Sequence, residues 1–125
     1  MPRLTWHGHS CFVLEHGGKR IIIDPFLTGN PKADLAAAHA GDTALTTDMK
    51  LLEGRVDVML VPIGDNYTMG IEDAARAVAF VKPAVAIPMH WDTFPVIETD
   101  PQAFKQAVGE QAQVVVLQPG RSYDF

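Results

Sequence analysis

Two short apolar runs with an amphipathic stretch between them constrain this chain more than any other feature. Val56 to Pro62 and Ala84 to Met89 are mostly apolar, without the alternation of a half-exposed strand. Runs of that length read as strands buried on both faces. Between them, Ile71, Ala74, Ala75, Val78 and Ala79 recur at helical spacing, which predicts an amphipathic helix over residues 71–82 that Pro83 stops. Asp100 caps a second helix with Pro101 at its first position, and Ala103, Phe104, Ala107 and Val108 give it an apolar face. Val114 to Leu117 reads as a further strand, and Ser122 to Phe125 as a short edge. Strand–helix–strand–helix–strand implies a mainly parallel sheet with helices packed on it.

The first half reads differently. Leu4 to Trp6, Cys11 to Glu15 and Arg20 to Asp24 are three short strands, with His16-Gly17-Gly18-Lys19 as the turn between the second and third. They make an antiparallel meander. Asp24 to Pro31 breaks regular structure with two prolines and a glycine. Residues 32–38 show no strong period. Thr47 is placed to cap a short helix through Leu52, with Gly54 ending it. The expected fold class is α+β, a mixed α/β chain in one domain over residues 1–125.

Composition narrows the function classes. The chain is 47% hydrophobic, enough for a real core, and no apolar run approaches the roughly 18 residues of a membrane helix. Its opening lacks a signal-peptide apolar region, so a cytoplasmic protein without membrane partners is expected. A net charge of −5 with scattered Lys and Arg excludes a nucleic-acid footprint. A small-molecule substrate, even an anionic one, needs only one local positive group or a metal. Cys11 is the sole cysteine, so no internal disulfide forms, and its apolar neighbours read as a small buried hydrophobe.

Several polar residues fall where strands end, the place where ligands gather in α/β sheets. His90 follows the strand ending at Met89 and is either a metal ligand or an imidazole bonded to backbone. Asp42, in Gly41-Asp42-Thr43, is either a metal-bridging carboxylate or a turn aspartate. Asp24 starts an Asx-type turn or orients a ligand from behind. His9, in Gly8-His9-Ser10, is a turn histidine or lies beside a metal. Asp65 and Asn66 form a tight loop or line a site. No phosphate-binding loop, dinucleotide fingerprint or nucleophile elbow is present.

In order along the chain, Gly8-His9-Ser10-Cys11-Phe12, Ile23-Asp24-Pro25-Phe26-Leu27-Thr28-Gly29-Asn30-Pro31 and His39-Ala40-Gly41-Asp42-Thr43 are followed by three more motifs. These are Pro62-Ile63-Gly64-Asp65-Asn66-Tyr67-Thr68-Met69-Gly70, Ile87-Pro88-Met89-His90 and Thr93-Phe94-Pro95. Each is weak alone, but the ordered set resembles the small metal-dependent hydrolases of the metallo-β-lactamase superfamily, in the branch related to ascorbate-phosphate lactonase. The resemblance runs from Leu4 to about Tyr123. It implies an αββα sandwich with a metal site at one edge, Asp42 and His90 as metal ligands, Asp24 as a supporting residue and His9 nearby.

The chain departs from that family in one large respect. The family carries a His-x-His-x-Asp-His motif and a further ligand histidine between the Asn-Pro loop and the Gly-Asp-Thr turn, and neither occurs here. The junction falls near Leu35 to Ala38. A catalytic zinc needs three protein ligands and an open position, and Asp42 and His90 supply two. His9 or His39 could add a third, although the family does not use them so. The resemblance therefore implies a truncated sandwich and weak or absent binding of a divalent metal, zinc or manganese. It also implies an exposed edge and apolar face that favour a homo-oligomer. Two functions compete: a metal-dependent hydrolase of an ester, lactone or phosphoester, impaired by the lost ligands, and a non-catalytic remnant or oligomeric scaffold of the same fold.

Overall fold

A computed structural model describes residues 1–6, 12–23 and 35–125. Its strands are β1 (Arg3–Trp6), β2 (Phe12–His16), β3 (Lys19–Ile23), β4 (Leu35–His39), β5 (Val56–Pro62), β6 (Val85–Met89) and β7 (Gln113–Val114). They form one seven-stranded sheet in sequential order. β1, β2 and β3 pair antiparallel, and β3 through β7 pair parallel. The mixed α/β class, the meander and the strand–helix–strand–helix–strand unit are therefore all present. The hairpin between β2 and β3 turns on Gly17 and Gly18, whose φ values of 58° and 78° fit a two-residue loop twisted like its strands.

The helices are α1 (Ile71–Val81) and α2 (Pro101–Val108). α1 ends where Lys82 turns left-handed at φ 52°, one residue before Pro83. α2 starts at Asp100, whose carboxylate accepts from the Gln102 N–H at 2.9 Å, with Pro101 at its first position. Ala74, Ala77, Val78 and Val81 of α1 and Phe104 and Val108 of α2 are buried in one cluster with Met59, Val61 and Ala86 from the sheet. The alternate residues of β5 and β6, Val58, Val85 and Ile87, face a second, smaller cluster packed by Val115, Leu117 and Tyr123 from the C-terminal segment. β5 is thus buried on both faces.

The structure corrects the sequence reading at four places. Residues 35–39 form β4, because β3 and β5 offer parallel ladders on either side of it. The turn Thr47–Leu52 is 3₁₀ and is capped by Thr46, whose hydroxyl accepts from the Asp48 N–H. β7 stops at Val114; the Val115 N–H still donates to the Ala86 carbonyl at 3.0 Å, and beyond it Val115 and Leu117 pack on the second face while Val116 packs on the first. Ser122 to Phe125 form no strand; Phe125 instead lies under the Lys19 ammonium. At the end of α1, Lys82 donates to the Glu53 carboxylate, and this bond, then the charge of Lys82, holds the Glu53 carboxyl below its ordinary range. No helix among the described residues is long and apolar enough to cross a membrane.

Candidate metal site

Because β4, β5 and β6 run parallel, their C-terminal ends share one edge of the sheet, and each sends a polar residue over that edge. Asp42 follows β4, Asp65 and Asn66 follow β5, and His90 follows β6. The Ala40 N–H extends the ladder by donating to the Leu60 carbonyl at 3.0 Å. Gly41, buried and at φ 69°, then turns the chain, and its N–H donates to His39 Nδ1 at 3.2 Å. That bond uses the His39 nitrogen locally. The Thr43 carbonyl is held by the Met69 N–H at 3.1 Å, so Asp42 sits on a turn fixed at both ends.

His90 leaves β6 in the left-handed region at φ 58°, as do Asp92 at 55°, Asp65 at 61° and Asn66 at 55°. Such backbone is uncommon outside glycine, though His, Asn and Asp tolerate it best, and it costs on the order of 1 kcal/mol or more per residue. Four such residues lie just beyond the ends of β5 and β6. The strained backbone is therefore concentrated at the edge where the polar residues gather.

The Asp42 and His90 side chains meet there. Oδ1 of Asp42 lies 3.4 Å from Nε2 of His90, with the Asp42 side chain 70% and the His90 side chain 27% exposed. β4 and β6 flank β5, so their axes are roughly 10 Å apart. The two side chains close that gap across the end of β5. What permits it is Gly64, two residues beyond β5: a Cβ there would sit 2.2 Å from the His90 carbonyl oxygen and 3.0 Å from Ile97 Cβ. The sequence analysis gave Gly64 no role of its own. Its one sequence signal is a glycine two residues after a doubly buried strand, where close backbone approach is expected.

The separation of 3.4 Å is long for a charge-assisted hydrogen bond, which runs about 2.7–2.9 Å. His90 Nδ1 is buried with no hydrogen-bond partner among the described residues. Asp65 and Asn66 are occupied in their own loop. Asp65 Oδ1 accepts from the Asn66 N–H at 2.9 Å, and the Asn66 amide donates to the Val96 carbonyl. An open acidic depression is lined by Asp65, Glu72, Asp73 and Glu98, among others, but not by Asp42 or His90. His9, Asp24 and Cys11 lie outside the described residues.

As a metal cradle the pair is incomplete. A catalytic zinc takes three protein ligands, and among the described residues no group of three His, Cys, Asp or Glu side chains could hold an ion.

The lineage follows from comparison with known proteins. A model of a β-lactamase superfamily domain matches residues 3–37 and 30–90. The chain belongs to the metallo-β-lactamase superfamily. A UPF0173 metal-dependent hydrolase of Symbiobacterium thermophilum is 50% identical to it over 124 residues, covering 93% of this chain and 48% of that protein. Another, of Archaeoglobus fulgidus, is 54% identical over 92 residues, covering 70% and 40%. This metallo-β-lactamase-fold chain thus spans about half the length, or less, of the curated relatives it matches. Among solved structures, a metallo hydrolase from Ignicoccus hospitalis superposes with TM-score 0.65 at 23% identity, covering 99% of each chain. A metallo-β-lactamase fold protein from Bacillus subtilis superposes with TM-score 0.56 at 9% identity, covering 89% of this chain and 41% of that one. At those identities the structures speak for the fold alone.

Proposed function

We propose that the chain binds a divalent metal, zinc or manganese, weakly, through Asp42 and His90, and that it hydrolyses esters, lactones or phosphoesters slowly. One observation carries this: the 3.4 Å separation of Asp42 Oδ1 and His90 Nε2. Histidine nitrogen and carboxylate oxygen bind zinc at roughly 2.0–2.2 Å, so two such atoms on neighbouring corners of a tetrahedron stand about 3.4 Å apart. The pair is spaced as co-ligands, not as a tight ion pair. A bound metal would polarise a substrate carbonyl or phosphoryl group and activate water. Asp42 and His90 hold it, and the missing donors keep it weak. Support for an internal junction comes from the two family-model segments, which overlap at residues 30–37, a stretch that takes in Leu35 to Ala37.

The test is a cobalt titration of the purified chain, followed by visible absorption and paired with elemental analysis for zinc and manganese. A weak cobalt spectrum that Asp42→Ala removes is expected. On a panel of lactones and phosphodiesters, turnover far below that of a full-length relative is expected. No metal uptake at millimolar concentrations sinks the reading.

A non-catalytic homo-oligomer is the second reading, favoured by the edge of the sheet. Leu4 and Trp6 of β1 point to one face and are 61% and 65% exposed. Leu4 is registered against Leu14, and Leu14 against Ile21, so the apolar row continues into the sheet. Exposed apolar edge strands promote association. Sedimentation at tens of micromolar is expected to show a dimer or larger species that Leu4→Lys converts to monomer. A monomeric parent chain removes this reading.

A further inference from the structure

We infer that residues 64–69 are the spacer that fixes the distance between Asp42 and His90, with Asn66 as a positioning residue. The inference rests on the metal-binding reading above. It starts from topology: Asp42 and His90 come from strands on either side of β5, so whatever leaves β5 lies between them.

This short segment touches both ligand-bearing turns. On one side, the Met69 N–H donates to the Thr43 carbonyl, one residue past Asp42. On the other, Gly64 backs onto the His90 carbonyl so closely that any side chain would overlap it. Farther along, the Asn66 amide donates to the Val96 carbonyl. The spacer is closed on itself by the Asp65 N–H donating to the Met69 carbonyl at 3.1 Å. The segment after His90 is closed likewise, by the Asp92 N–H to the Ile97 carbonyl at 2.9 Å and by the Thr99 N–H to Asp92 Oδ1 at 2.8 Å. The two turns are therefore tied through one piece of backbone, and Asn66 supplies the side-chain tie.

Asn66 is exposed. Its bond to Val96 therefore adds little to global stability, and its effect falls on geometry. Outer residues that orient metal ligands typically change metal affinity about 10–100-fold when removed.

The test is Asn66→Gly in the whole chain. Glycine keeps the left-handed backbone at φ 55° and removes only the amide. Cobalt affinity is expected to fall about 10-fold, with the unfolding midpoint in chelator unchanged. In the metal-free protein, amide exchange of Asp92 is expected to quicken about as much, because the segment it closes loses its tie. Affinity and Asp92 exchange both equal to the parent chain overturn the inference, as does a loss of affinity matched by a fall in the chelator midpoint. Asp42→Ala separates the two proposals. If that variant binds cobalt as tightly as the parent chain, the metal reading fails and the spacer is judged by Asp92 exchange alone. If Asp42→Ala abolishes binding while Asn66→Gly leaves it intact, the spacer fails and the metal reading stands.

Discussion

Gly64→Ala is expected to destabilise the chain by about 3 kcal/mol, at the upper end of what overpacking usually costs. For a domain of this size that is a fall of about 12 °C in the thermal midpoint. The added methyl would stand 2.2 Å from the His90 carbonyl oxygen and 3.0 Å from Ile97 Cβ. Neither neighbour yields cheaply. The first is backbone, and the second belongs to a residue only 1% exposed. Relief requires the ends of β5 and β6 to part, which also separates His90 from Asp42. Gly17→Ala is the matched control. Gly17 has φ 58° and nothing within 4 Å of its missing Cβ, so that change costs only the left-handed backbone, about 1 kcal/mol. Thermal melts of both variants in chelator check the contrast. Equal losses, or a Gly64→Ala chain as stable as the parent, would mean that the two strand ends do not cross closely at Gly64.

Most of the architecture could be read from the sequence because each element announces itself locally. Val56 to Pro62 had nowhere to go but a doubly buried strand, Gly17-Gly18 had the left-handed freedom of a tight hairpin, and Pro83 and Pro101 bounded the helices. β4 could not be read that way. Leu35-Ala36-Ala37-Ala38 has better helix than strand propensity, and what makes it extended is the pair of ladders supplied by β3 and β5, a tertiary cause that overrides propensity. The site divided along the same line. Asp42 and His90 were each legible as polar residues past a strand end. Their contact depended on strand order and on the absence of a side chain at Gly64, and neither lies near Asp42 or His90 in sequence. The left-handed backbone of His90 and the tie from Asn66 to Val96 had no sequence signal beyond residue types that tolerate such turns.

His90→Asn distinguishes a residue kept for binding from one kept for packing. Two features of His90 bear on the exchange. Its backbone is left-handed at φ 58°, and its Nδ1 is buried with no partner among the described residues. A buried polar atom left unsatisfied costs about 1–3 kcal/mol. Asparagine accepts left-handed backbone readily, but its amide stands where Nδ1 does and so does not relieve that burial. The exchange also removes the packing of the ring, so stability in chelator is expected to stay within about 1 kcal/mol, or about 4 °C, of the parent chain. Metal affinity should fall by more than the roughly 100-fold that marks the loss of an outer residue, because one of the two donors is gone. Stability held while binding is lost is the pattern of a residue kept for function. Melts in chelator read the first effect and cobalt titration the second. If His90→Asn instead lowers the chelator midpoint by more than about 4 °C and leaves cobalt binding intact, His90 is a packing residue and the Asp42–His90 contact has no part in holding metal.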